Sequence, residues 1–235
     1  MTEWIPFLFI GGVVAIIVLI GVGCILYEKK RRERLNEIAA QMGLEFYPKD
    51  VFNIPVSYAA FQRLNTGRSR QAKNVMHGKL GGVALKIFDY KYTTGGGKSS
   101  TTHSLSIVLA DTDYDFPYVG IRSEGFFDRL AGMVGFADTE IGNPTFDAAF
   151  RIDAQDPAFA RQLLHNRLTD FLLHSQETGF KVEFAGNSVM AHKDRRLKPD
   201  DLGNLVKFML ELLQRLPTDL PRRGGFAPPD EERER

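Results

Sequence analysis

The string Gly95–Ser99, GGGKS, contains the glycines and the lysine of a phosphate-binding loop. The complete motif also requires a glycine five residues before the glycine that precedes the lysine, and Tyr92 stands there. A helix must follow such a loop so that its N-terminal amides can bind phosphate, whereas residues 102–110 favour a strand. We therefore predict a flexible loop between two strands.

Two further patterns could bind metal ions, and both are incomplete. Asp111, Asp113 and Asp115 resemble the start of a calcium-binding loop, but its glycine and its closing acid are replaced by Phe116 and Arg122. The histidines show no spacing typical of a zinc site. They are His77, His103, His165, His174 and His192. We therefore predict a solvated turn at residues 111–115, no metal site and no cofactor.

A set of polar residues around a predicted β-hairpin gives the best binding candidates. These residues are Arg68, Arg70, Asn74, Asp89, Tyr90 and His103. One interpretation is a solvent-exposed, basic sheet edge with no binding role, and another is an anion- or peptide-binding site at that edge. A third is an enzyme or small-ligand site on the sheet face around Asp89, Tyr90 and His103, closed by the glycine-rich loop.

Composition excludes several classes of protein. The chain has 235 residues, with 30 Lys and Arg against 29 Asp and Glu, a formal net charge of +1. This balance disfavours a general nucleic-acid-binding protein, which normally carries a basic excess. A single cysteine, Cys24, excludes an intramolecular disulfide and any zinc site built from two or more thiolates.

The N-terminal 27 residues predict a membrane anchor. Residues 5–27 contain no charged residue, and a helix of that length spans roughly 35 Å, enough to cross a bilayer core of about 30 Å. A cleaved signal peptide would need a basic start and a small-residue cleavage site, and both are missing. The sequence also lacks the polar chain that would follow Cys24 in a lipoprotein.

The basic run after this segment predicts its orientation. Residues 28–34 hold five basic side chains, whereas the N-terminal flank has no Lys or Arg. They are Lys29, Lys30, Arg31, Arg32 and Arg34. The positive-inside rule then places the N terminus outside and the bulk of the chain in the cytoplasm. The same run is either this topology signal alone or a specific site for anionic lipid headgroups.

The chain after the anchor predicts an α+β fold. A juxtamembrane helix at 28–43 precedes a domain at 44–216, which is either one unit or two subdomains, 44–122 and 123–216. An antiparallel sheet comes first, with a Gly81-Gly82 hairpin. A β-α-β-β-α unit follows, and a disordered tail occupies 217–235. Strands are predicted at 44–47, 75–80, 83–92, 102–110, 116–121, 146–152, 180–184 and 188–192, and helices at 124–136, 156–174 and 199–216.

One sequence pattern resembles a known family. It reads R-x-A-x-N-V-x-x-G, FDY-x-Y-T-T and TTH, and here it is carried by residues 70–78, 88–94 and 101–103. The pattern is similar to that of bacterial hypothetical proteins with one N-terminal transmembrane helix and a soluble domain of unknown function. The resemblance implies a bacterial inner-membrane protein and supplies no catalytic residues.

Together these observations favour a binding or scaffold protein over an enzyme. The expected partners are the lipid bilayer and another membrane or cytoplasmic protein, with no nucleic acid. The alternative is a membrane-tethered enzyme or small-ligand domain that uses the sheet face around Asp89, Tyr90 and His103.

Overall fold

The computed structural model describes residues 5–123 and 139–222. Their helices and strands form an α+β fold, as the sequence predicts. The helices are α1 (Ile5–Gln41), α2 (Ile54–Ser57), α3 (Gln62–Asn65), α4 (Pro144–Ala149), α5 (Pro157–Leu163), α6 (Asn166–His174) and α7 (Leu202–Leu213). The strands are β1 (Glu45–Lys49), β2 (Arg68–Leu80), β3 (Val83–Thr94), β4 (Thr101–Ser123), β5 (Phe150–Ala154) and β6 (Lys181–Lys193). The helix predicted at 124–136 lies outside the described residues.

The six strands form one antiparallel sheet, in the order β1-β2-β3-β4-β5. Strand β6 also pairs with β4, along both halves of that strand. The Gly81-Gly82 turn between β2 and β3 is present, with both glycines at positive φ. Residues other than glycine rarely adopt positive φ, so the two glycines make this tight two-residue turn possible.

Strands β4 and β6 are each a single long strand where the sequence predicted two shorter ones. Strand β4 runs without a break through residues 111–115, where we predicted a turn, and β6 runs through the predicted hairpin at Gly186. The register shifts between the Asp111–Ser188 and Phe116–Gly186 pairs, because β4 advances by five residues there while β6 advances by two. The glycine and aspartates therefore mark β-bulges that bend paired strands, and the predicted turns are wrong.

The sheet has a helix-rich face and a sparsely covered face. The C-terminal part of α1 packs on the helix-rich face with α5, α6 and α7, around buried residues such as Leu35, Ile87 and Leu205. On the other face, α2 and α3 cover a smaller core that includes Phe88, Tyr90 and Tyr92. Because side chains alternate along a strand, neighbouring residues of β3 belong to different cores.

Helix α1 corrects the predicted membrane anchor. Within the described part of the chain, none of the helices is both long and apolar enough to cross a membrane. The predicted transmembrane anchor at 1–27 is therefore wrong, and α1 continues unbroken through the predicted juxtamembrane helix to Gln41.

The C-terminal end of the described chain also differs from expectation. We predicted a disordered tail from residue 217, but Leu220 is 3% exposed and belongs to the large core. The carbonyl of Pro221 accepts a hydrogen bond from the Asp115 amide at 2.9 Å, and Arg222 forms a β-bridge with Tyr114. Residues 217–222 are therefore part of the folded domain.

Candidate functional site

A buried arginine fixes α1 to the sheet. The Arg31 guanidinium donates to both carboxylate oxygens of Asp89 on β3, from Nε at 2.9 Å and from Nη2 at 2.7 Å. Its Nη1 donates to the carbonyl of Leu197 at 2.7 Å. The Arg31 and Asp89 side chains are 2% and 10% exposed. A bidentate ion pair of this kind fixes both the distance and the orientation between the two side chains, so α1 is held in one geometry relative to the sheet.

Asp89 is held in turn by neighbouring strands. The Asn74 amide donates to it at 3.0 Å and the Ser106 hydroxyl at 3.4 Å, and that hydroxyl accepts from the Leu197 amide at 2.9 Å. Asn74 has φ of +52° at a β-bulge in β2, a conformation that asparagine adopts more readily than most residues. The bulge places the Asn74 side chain on the same face as Asp89.

Two outer ion pairs extend this contact along α1. Arg196 lies 2.7 Å from Glu28 and 3.6 Å from Asp89, and Arg34 lies 2.6 Å from Asp200. Residues of α1 thus contact both the sheet and the segment that leads into α7. We call Arg31, Asn74, Asp89, Ser106 and Arg196 the Arg31 cluster.

Beyond this cluster, α1 exposes an apolar surface on every side. We call Ala15–Tyr27 the apolar segment. Its large side chains are between 47% and 71% exposed, and they follow one another along the helix, so no side of the segment is polar. These side chains are Ile16, Ile17, Val18, Leu19, Ile20, Val22, Ile25, Leu26 and Tyr27. A helix that is apolar all round is normally buried in apolar surroundings, and in the described part of the chain this segment is exposed.

The structure separates the binding residues that the sequence placed together. Asn74 and Asp89 meet on the helix-rich face, within the Arg31 cluster. Tyr90 and His103 belong to the opposite face, where the Tyr90 hydroxyl donates to the Leu64 carbonyl and His103 stacks on Tyr92. Because Asp89 and His103 lie on opposite sides of the sheet, the predicted enzyme or ligand site around them is not formed.

The basic residues predicted as binding or headgroup sites differ in exposure: all but one are exposed. Arg68 and Arg70 are exposed at the start of β2, and Arg70 donates to Asn65 and to the Leu64 carbonyl. Lys29, Lys30, Arg32 and Arg34 are exposed on α1, as a headgroup contact would require. Arg31 is buried, and the prediction that it faces lipid headgroups is therefore wrong.

A second polar cluster, which the sequence did not predict, lies on the sparsely covered face. His192 on β6 is 1% exposed; its Nε2 is 3.8 Å from Glu183 and its Nδ1 is 3.5 Å from Asp194. Arg63 on α3 lies 3.2 Å from Asp194, and Lys181 also pairs with it. We call these five residues the His192 cluster. Several of them line a cavity of about 30 Å³, room for one or two water molecules.

The His192 cluster makes the stability of the domain depend on pH. Burial alone would raise the pKa of Asp194, but His192, Arg63 and Lys181 together hold it well below its usual range. A carboxyl whose pKa is lower in the folded chain stabilises the fold above its unfolded pKa of about 3.9, and this contribution is lost as the pH falls.

We therefore expect Asp194→Asn to lower stability at pH 7 and to flatten its decline between about pH 5 and pH 2. Urea unfolding at a series of pH values measures both effects. Asp113→Asn, at an exposed position of β4, is the matched control and should leave the pH profile unchanged. Equal slopes for wild type and Asp194→Asn would show that the Asp194 contacts do not stabilise the fold.

Comparison with known proteins shows that the fold of this chain is similar to that of a solved structure. No family model matches the sequence, and no curated protein matches it either. The fold resembles that of a transport factor. The solved structure is the crystal structure of the mycobacterial trehalose monomycolate transport factor A, TtfA. The two chains are 15% identical, the match covers 79% of this chain and 96% of TtfA, and the TM-score is 0.57. At this identity the comparison concerns the fold alone.

Proposed function

We propose that this chain is a non-catalytic binding or scaffold domain that holds a partner protein through the apolar segment of α1. The single observation that carries the proposal is that Ala15–Tyr27 exposes large apolar side chains on all sides. The Arg31 cluster presents this segment at a fixed angle to the sheet. A rigidly held binding element loses less conformational entropy on association than a mobile one.

The chemistry of the segment favours apolar helices of the partner. Gly21 and Gly23 have open space where a side chain would extend, so another helix can approach the backbone closely there. Helices pack at interaxial distances of about 8–10 Å, and small residues at the contact favour the lower end. Burying one leucine or isoleucine fully is worth about 1.5–3 kcal/mol, so a few such contacts give a stable complex.

The likeness to TtfA supports a role in transport. By its name, TtfA is a factor of trehalose monomycolate transport. To this chain we extend only the general role of an accessory factor in a transport assembly, because the shared fold does not identify the cargo. In such a role the domain binds and positions another protein through the exposed apolar segment.

Crosslinking through the single cysteine tests this proposal. Cys24 is exposed within the apolar segment, so a thiol-reactive photocrosslinker can be attached there without a substitution. We expect a crosslinked partner in the native host, and we expect Leu19→Gln with Ile20→Gln to reduce its yield at least tenfold.

The control uses another exposed apolar residue. Val56 on α2 is 65% exposed, about as much as Leu19 and Ile20, but it lies outside the apolar segment. Val56→Gln should leave crosslinking at Cys24 unchanged, and a probe at Val56→Cys in a Cys24→Ser chain should capture no common partner. If the two probes capture the same proteins in equal amounts, α1 is not a specific docking element.

A further inference from the structure

An aromatic groove of about 420 Å³ lies between α6, the end of β6 and α7. Three phenylalanines form its apolar wall: the Phe171 and Phe208 rings stack at 5.2 Å, and the Phe180 ring meets Phe208 edge-on at 5.2 Å. This volume is in the range of small-molecule sites, which typically combine an apolar wall with a few polar groups. We call it the Phe208 groove.

One side of the Phe208 groove presents two basic residues. The Lys193 ammonium donates to the Thr178 carbonyl at 2.6 Å and lies 5.5 Å from the centre of the Phe180 ring. Arg195, two residues further along the chain, is exposed and also lines the groove. Burial and the charge of Arg195 lower the pKa of Lys193 and the charge of Asp201 only partly opposes them, so a bound anion would offset the repulsion that remains.

We propose that the Phe208 groove binds a small carboxylate with an apolar body, the apolar part against Phe171, Phe180 and Phe208 and the carboxylate against Lys193 and Arg195. This second site is independent of the docking role of α1. The groove also contains Glu177, Asp201 and Glu211. Glu211 lies 3.9 Å from Lys207, and Glu177 and Asp201 are exposed, so solvent screens much of the negative charge of these carboxylates.

The position of the groove links it to α1. Leu197 lines the groove, and its carbonyl and amide groups bond to Arg31 and Ser106 of the Arg31 cluster. A ligand in the groove therefore lies next to the segment that fixes α1.

Calorimetric titration of the full chain with three probes tests the proposal. Decanoate, below its micelle-forming concentration, carries both the apolar body and the anion, whereas decanol carries only the first and acetate only the second. We expect decanoate to bind at least tenfold more tightly than either, because a hydrogen bond to a charged group adds about a factor of ten.

Variants then assign the binding to Lys193. Lys193→Gln should weaken decanoate about tenfold and leave decanol unchanged, while Lys193→Arg, which keeps the charge, should retain binding. Lys198→Gln, an exposed lysine that does not line the groove, is the control, and thermal melts confirm that each variant is folded. Equal affinity for decanoate and decanol, or full decanoate binding by folded Lys193→Gln, would overturn the proposal.

Discussion

A chain that ends at Asp201 is expected to show no cooperative unfolding transition. The truncation removes α7, whose apolar stripe is buried in the large core: Leu202, Leu205, Val206, Phe208, Met209 and Leu212. Burial of each such side chain is worth about 1.5–3 kcal/mol, and their sum is comparable with the total stability of about 5–15 kcal/mol of a typical domain. The remaining sheet would expose one face of its core.

Two longer chains provide the comparison. A chain that ends at Leu216 loses Leu220 and the Pro221 carbonyl that accepts from Asp115, and we expect it to be less stable by about 2–5 kcal/mol. A chain that ends at Arg222 keeps every described residue from 139 onward and is the reference for both. Thermal melts followed by circular dichroism distinguish the three. A cooperative melt for the chain ending at Asp201 would show that α7 is not required by the core.

Replacing Arg31 by alanine is expected to cost about 3–5 kcal/mol of unfolding free energy. The Arg31 side chain is 2% exposed and makes three hydrogen bonds, so its removal leaves the Asp89 carboxylate buried with much of its charge uncompensated. Lysine should not rescue the loss, because a single ammonium cannot reproduce the paired bonds to Asp89. Urea unfolding measures both variants.

Arg32→Ala is the matched control for this prediction. Arg32 is the next residue of α1 and is exposed, so its loss should change stability by no more than about 0.5 kcal/mol. The double change of Arg31→Met with Asp89→Leu should recover most of the loss, because it removes the unpaired charge together with its partner. If Arg31→Ala is as stable as Arg32→Ala, the Arg31 cluster does not hold α1 to the sheet.

The sequence predicts the elements that depend on local signals. The hairpin at Gly81-Gly82 and the apolar stripe of α7 were both predicted, because turn chemistry and helical periodicity are properties of neighbouring residues. Strands β4 and β6 were each divided in two by the prediction. A glycine or a run of aspartates gives the same local signal in a turn and in a bulge, and only the pairing between the two distant strands distinguishes them.

The candidate sites depend on long-range contacts, which a single sequence does not show. Arg31 belongs to a run of charges that is typical of a solvated helix, yet its partners are 58 and 166 residues away. The His192 cluster likewise joins α3 to β6, and nothing in the spacing of Arg63, Glu183 and His192 indicates that they meet. Asn74 and Asp89 were both among the six predicted binding residues, but nothing in the sequence indicated that they meet, and Arg31, which pairs with Asp89, was assigned to lipid headgroups.

The contact between Arg31 and Leu197 also sets an order of events during synthesis. These residues are 166 positions apart, and a ribosome adds about 5–20 residues per second, so roughly 10–30 s separate their appearance. For most of that interval the apolar segment of α1 is outside the ribosome while the backbone that anchors Arg31 does not yet exist. A nascent chain therefore exposes this apolar helix before the sheet that fixes it is complete.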